Sequence, residues 1–340
     1  MIHLHILKVV FNMLITLLTL LLYIAYMTFR TEINLEKSKQ TILHNDKISL
    51  IGSCFTQNIG NKLSENGFHT DINPFGIIYN PISISQCLEH ISTSEPLACN
   101  DLIKSGDYWK AYTHHGDFKA QSQEELLEIV NNKIADSYNF ILKAKYLIIT
   151  LGTSWVYTHK ETNRIMGNCH KINSNLFTKS LLTIDQIVEN MTNSIDIFFA
   201  NNLNSNSKVI LTISPIRHWK DGYRENQLSK SILNLAVDEL CKTNSKIEYF
   251  PSYEILMDDL RDYRFYNEDM LHPNNLAVEY IWEKFQDTYF NINTIELCKR
   301  FQQLQKMKNH RPFNPDGELY KNHLQKIKDL EEELNSLLNS

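Results

Sequence analysis

Residues 48–66, ISLIGSCFTQNIGNKLSEN, read as a short buried strand that ends in a small-residue turn and opens directly onto a helix. Ile48 to Ile51 form a compact apolar run, Gly52 permits a sharp backbone turn, and Phe55, Ile59 and Leu63 recur at helical spacing. The turn therefore holds two potential nucleophiles, Ser53 and Cys54, at the carboxyl end of a strand and the amino end of a helix. A helix N-terminus favours negative charge, so a thiolate or an oxyanion is expected to be stabilised there. Ser53 as a helix cap and Cys54 as a small buried hydrophobe is the bland alternative.

Three further apolar runs follow the first: Tyr146–Leu151, Val209–Ile213 and Ile247–Phe250. They are continuous rather than alternating, as strands of a parallel sheet covered on both faces are. Helical patterns at Glu124–Lys143, Ile184–Asn201, Gln227–Cys241 and Asn275–Tyr289 lie between and after them. That rhythm predicts a three-layer α/β/α sandwich with a mainly parallel sheet and ligands at the carboxyl ends of the strands. Residues 73–138 exceed what a crossover needs; with the turn-rich NPFGIIYNP and a helical run at Ile84–Ile91 they read as a helical insertion flanking the site. Trp155–His159 and Arg164–Lys171, separated by Glu161-Thr162-Asn163, read as a hairpin forming another wall of the pocket. Beyond Pro312, Pro315 and Gly317, leucines and Ile327 recur at 3/4 spacing from Leu324 to Leu337 as a C-terminal helical tail. It is expected to dock on its own domain or to support weak self-association.

With 340 residues, 43% hydrophobic and 21% charged, the chain is ordinary globular material, and a net charge of −5 gives no basic field for nucleic acid. Six cysteines without a CxxC pair or metal-knuckle spacing fit a reducing compartment and argue against structural zinc. Val9–Phe29 is almost wholly apolar and, at roughly 20 residues, long enough to span a bilayer. Met27-Thr28-Phe29-Arg30-Thr31-Glu32 also suits the start of a soluble chain, so residues 1–28 are either an uncleaved anchor or a mis-set start. The domain is accordingly expected in the cytoplasm, or anchored with its mass on the cytoplasmic side.

The second chemical stretch is NEDMLHPNNLAVEYIWE, residues 267–283, where Asp269 and His272 stand three apart just before a helix opened by Pro273. An orienting carboxylate and a general base have this arrangement, with the nucleophile supplied from far away in sequence. Ser214-Pro215-Ile216-Arg217-His218 follows a core strand. Arg217 there suits a substrate carboxylate or phosphate and His218 a proton transfer. Cys169-His170 is a second thiol and imidazole, but adjacent strand residues point to opposite sides.

The order strand, Gly52-Ser53-Cys54, helix, Leu151-Gly152-Thr153-Ser154, then Asp269-x-x-His272-Pro273 resembles the SGNH/GDSL hydrolases. GSCFT with INPFGIIYNP, NCHK, SPIRHWKDG, ENQLSKS and RDYRFYNEDMLHP resembles, more closely, the GSCFA-domain family within that superfamily, from about Phe29 to Pro312. Thr56 replaces the last residue of the namesake motif. The resemblance implies residues 29–311 as an SGNH-like domain and 312–340 as a tail. It implies ester hydrolysis or acyl transfer through a covalent acyl-enzyme, with no metal or organic cofactor. The substrate would be a small-molecule or glycan ester, including O-acylated carbohydrate or cell-envelope material. The superfamily register puts Cys54 rather than Ser53 at the attacking position, Gly76 as a backbone oxyanion donor, and Ser154 where the usual Asn donor stands. Those departures keep open a non-catalytic binding or scaffold protein that retains the fold.

Overall fold

The computed structural model of the protein describes residues 13, 16, 30–313 and 317–339. Residues 1–34 and 35–340 are separate compact units, and the sheet and the site belong to the second. Its strands are β1 (Lys47–Gly52), β2 (His69–Ile72), β3 (Leu102–Ser105), β4 (Tyr108–Ala111), β5 (Tyr146–Leu151), β6 (Trp155–His159), β7 (Phe177–Leu181), β8 (Lys208–Ile213) and β9 (Ile247–Phe250). The long helices are α1 (Cys54–Glu65), α2 (Pro81–Thr93), α3 (Gln123–Ile141), α4 (Ile184–Asn201), α5 (Tyr223–Thr243), α6 (Asn275–Tyr289), α7 (Ile292–Lys308) and α8 (Glu318–Asn339).

Five strands pair in parallel in the order β2-β1-β5-β8-β9. The register aligns Ile51 with Ile149 and Ile149 with Leu211, so like residues form layers across the sheet. Ile51, Ile149 and Leu211 pack with Leu88, Val130, Met191 and Leu233 from α2, α3, α4 and α5, which cover one face. On the opposite face Phe250 meets Phe285 and Tyr289 of α6. Alternate side chains of the three inner strands thus enter two different apolar layers, so β1, β5 and β8 are largely apolar along their length. This is the α/β/α sandwich expected from the sequence.

Three local differences have physical causes. The edge strand β2 carries the polar sequence HTDI and pairs on one side only, so no apolar run announces it. β6 pairs with β7 rather than with residues 164–171. The nearer segment makes a single bridge from Thr158 to Ile165 before left-handed residues His170 and Lys171 turn the chain back toward β7. Helix α7, with no sharp apolar stripe, is also unanticipated; Phe301 and Leu304 anchor it, and α8 docks on it through Leu334, Ile327 and Leu330. Leu324 and Leu337 of the tail stay exposed.

No helix among the described residues is long and apolar enough to cross a membrane; the apolar segment 9–29 lies outside them except for Met13 and Thr16.

Candidate active site

The order of the sheet reverses between β1 and β5, since the chain leaves β1 for the edge strand β2 and then returns to β5, β8 and β9. Loops at the carboxyl ends of β1 and β5 separate at such a point and leave a crevice. The turn after β1 is held tightly. Gly52 has φ +143°, and a Cβ there would sit 2.3 Å from the Thr150 carbonyl, so only glycine fits. The loop after β2 clamps the same turn: Gly52 N–H donates to Asn73 Oδ1 at 2.9 Å, and Ile78 N–H donates to Gly52 O at 3.1 Å.

Out of this turn come both candidate nucleophiles, and the structure separates them. Ser53 is the N-cap of α1: its Oγ accepts from Phe55 N–H at 3.2 Å and the residue is 1% exposed. Cys54 is the first residue of α1, half-buried, and it lines two adjoining cavities of about 440 and 490 Å³. His272 lines both of them as well. The thiol pKa departs from the sequence expectation. Burial pushes it above its ordinary value, against the pull of the Cys54 and Phe55 N–H groups and of Lys230, while Asp269 adds to the rise. Desolvation outweighs the helix N-terminus, so the thiol needs a base to ionise it.

The base is built by the loop before α6. Met270, at φ +59°, turns the chain so that Asp269 Oδ1 accepts from the N–H groups of Leu271 and His272, each at 2.9 Å. The other oxygen, Oδ2, accepts from His272 Nδ1 at 2.6 Å. Those backbone bonds first, and the imidazole second, hold the Asp269 carboxyl down at about 2. With Nδ1 carrying the hydrogen, Nε2 is the free base.

The two residues that the superfamily register assigns to an oxyanion hole are elsewhere. Gly76 N–H donates to Asn73 O at 2.7 Å, closing a turn at φ +75°, and Gly76 packs on His115. Ser154 is fully buried, its Oγ on Ser229 Oγ at 3.0 Å and Ser229 O at 3.2 Å. Both groups are committed to holding loops, and neither lines the two cavities that Cys54 shares with His272. Thr153 and Tyr79 stand there instead. Tyr79 O accepts from the N–H groups of Gly152 and Thr153, so the loop after β2 also fastens the end of β5. Burial first, and Cys54 second, push the Tyr79 phenol up to about 12, so it remains a hydrogen-bond donor at neutral pH.

Arg217 and His218 line the same 440 Å³ cavity, opposite Trp155, Tyr157 and Gly167. Residues 155–167 thus do form a wall, although not as the expected hairpin. Arg217 Nε is buried without a hydrogen-bond partner, and Nη2 reaches only Met257 Sδ at 3.1 Å. His218 is driven down to about 3 by burial, then by Lys230 and His272, so it is neutral at ordinary pH and makes a poor acid. Cys169 and His170 are outside the crevice: His170 Nε2 hydrogen-bonds to Ala111 O at 2.8 Å, and Cys169 packs near Tyr112, Met166 and Phe177.

Sequence reasoning passed over Tyr79, Thr153 and Lys230. The buried stripe of α5 runs Asn226, Ser229, Lys230, Leu233, Ala236, Val237, Leu240. Its apolar half was legible, and extending its 3/4 spacing toward the N-terminus would have led to Lys230 on the inward face. Among the described residues no group of His, Cys, Asp and Glu is placed to hold a metal ion.

The model of the GSCFA family matches residues 47–285. No curated protein matches the chain. Among similar solved structures, a Clostridium thermocellum family 3 carbohydrate esterase is 12% identical with a TM-score of 0.32, and 75% of this chain and 97% of that chain are covered. A family two carbohydrate esterase from Clostridium thermocellum in complex with cellohexaose is 14% identical with a TM-score of 0.35, and the shares are 79% and 67%.

Proposed function

Because this chain belongs to the GSCFA family and sets a thiol and an Asp-held imidazole on the walls of the same cavities, we propose that it is a thiol-dependent hydrolase or acyltransferase acting on esters. The observation that carries the reading is that Cys54 and His272, 218 positions apart, are brought to one crevice at the switch point of the sheet. His272 Nε2 takes the proton from Cys54 Sγ as sulfur attacks the ester carbonyl. Asp269 holds the imidazole's tautomer and stabilises the imidazolium that forms. The N–H of Cys54 at the helix N-terminus and the Tyr79 hydroxyl are the donors for the resulting oxyanion. Collapse breaks the ester C–O bond, His272 returns its proton to the departing alcohol, and a thioester on Cys54 remains. Water or an acceptor hydroxyl then attacks the thioester through the same base, and the thiol re-forms as it takes back the proton.

Trp155, Tyr157 and Trp219 present ring surface to the cavity, which suits the C–H face of a sugar and supports an O-acylated carbohydrate as substrate. Arg217, which pairs with no carboxylate among the described residues, is the anchor for a carboxylate or phosphate on that substrate. A second reading, a binding protein that keeps the fold, draws on the displacement of Gly76 and Ser154 from the crevice. Incubation with 4-nitrophenyl acetate and with acetylated oligosaccharides separates the two. The enzyme forms an acyl adduct on Cys54, seen by mass spectrometry, that is lost in His272→Ala. Absence of any adduct and of any release, in a chain that binds the oligosaccharide, leaves the binding protein.

A further inference from the structure

Lys230 is a fully buried lysine on α5. Its Nζ donates to Gly152 O at 2.8 Å and to Ser214 O at 2.7 Å, the carbonyls just beyond the ends of β5 and β8. The Tyr253 ring lies 5.4 Å from Nζ, and among the described residues no carboxylate forms an ion pair with it. A buried ammonium with no counter-ion is unfavourable, and two carbonyl dipoles offset only part of that. The register Gly52↔Thr150 sets the turn that carries Cys54 beside the turn that begins at Gly152, so the lysine holds the turn next to the nucleophile's. In acyl transfer a negative charge develops on this spot, first on sulfur and then on the oxyanion.

We propose that Lys230 is a positioning residue for the reaction: its ammonium ties the turns after β5 and β8 together and supplies the charge against which the Cys54 thiolate and the oxyanion form. The inference rests on Cys54 as nucleophile. The charges that meet here are consistent with it. Lys230 lowers the Cys54 thiol and Cys54 raises the Lys230 ammonium, while Asp269 opposes the first effect and Arg217 the second; Glu254 supports the ammonium. Burial is the largest influence on Lys230 and works against its charge, so the ammonium is held by the two carbonyls, by Glu254 and by a thiolate at Cys54. His218, held neutral beside it, adds no competing charge.

The test is the pH dependence of Cys54 alkylation by iodoacetamide in the full chain, read by peptide mass spectrometry with the exposed Cys99 as internal reference. Lys230→Met keeps the side chain's length and removes the charge. Its Cys54 midpoint should rise by about one pH unit, roughly a tenfold slower reaction at fixed pH, with Cys99 unmoved. Lys230→Arg, which restores the charge, should recover part of the shift, whereas a role confined to bracing the turns predicts no shift in either variant. An unchanged Cys54 midpoint in folded Lys230→Met overturns the proposal. If that variant does not fold, the reciprocal measurement decides: alkylating Cys54 in the unaltered chain should lower the titration midpoint of the Lys230 ε-methylene followed by NMR, and a fixed midpoint overturns the proposal. Alkylation reports the coupling whether or not an ester is turned over. Coupling without turnover therefore removes the esterase and keeps the ion pair, and turnover without coupling does the reverse.

Discussion

At the scale of single residues, one position in the turn after β1 separates a cap from a candidate nucleophile. Ser53 Oγ is occupied by Phe55 N–H, and Cys54 faces the crevice. Cys54→Ala should therefore abolish the acyl adduct. Ser53→Ala should cost about 1 kcal/mol of stability through the lost cap and leave the adduct detectable by mass spectrometry. A dead Ser53→Ala beside a live Cys54→Ala would move the nucleophile one residue toward the N-terminus. Asp269→Asn should lower kcat at least about a hundredfold while the fold is kept, because an amide presents Nδ1 with the wrong partner. Since Asp269 is held at about 2, no acid limb from it should enter a pH–rate profile above about pH 3. Turnover of Asp269→Asn at the unaltered rate would remove the dyad.

At the scale of elements, the crevice is set by one loop as much as by the strands. Residues 73–80 bind the ends of β1 and β5 through Asn73, Ile78 and Tyr79, and Asn80 then caps α2, its Oδ1 accepting from Ser83 N–H at 2.8 Å. What reads as an insertion is thus the clamp of the site. The clamp works only if the turn it grips is a glycine. Gly52→Ala places a Cβ against the Thr150 carbonyl in a left-handed conformation, which should cost at least about 1–3 kcal/mol in urea denaturation and slow Cys54 alkylation as α1 shifts. Unchanged stability would mean that the turn relaxes freely and does not fix the nucleophile.

At the scale of the molecule, buried imidazoles make stability depend on pH. Burial, as the largest cause, lowers His44 and His170 to about 4 and His114 and His218 to about 3. Between those values and 6.5 the unfolded chain binds protons that the folded chain refuses, so what these imidazoles contribute to stability is complete above about pH 6.5 and is lost as pH drops toward 4. His114, 0% exposed, contributes a slope of about 1.4 kcal/mol per pH unit by itself. Calorimetry should show Tm falling from pH 7 to pH 5, with a shallower fall in His114→Gln. A flat Tm over that interval would show that these imidazoles take up protons without unfolding.

The sequence carries the layers in its own pattern, because a strand covered on both faces must be largely apolar along its length, and β1, β5 and β8 are, whereas the edge strand β9 keeps a half-buried Glu248. It determined α1 and α6 through 3.6-residue periodicity, and the Asp269–His272 pair because three residues in one loop suffice to bring a carboxylate to an imidazole. The edge strand β2 escaped it, since an edge needs little apolar surface and HTDI shows little. Which hydroxyls and N–H groups remain free at the crevice is settled by packing: the sequence shows that Gly76, Ser154, Ser53 and Tyr79 have polar atoms, and folding decides which of them other groups consume. It also decided the thiol's charge preference. Helix position is local and favours the thiolate, while burial is assembled from distant segments and here is the larger influence. Lys230 is divided between the two, for helical spacing turns it inward while the carbonyls that it meets there, 78 and 16 residues away, are set by the fold.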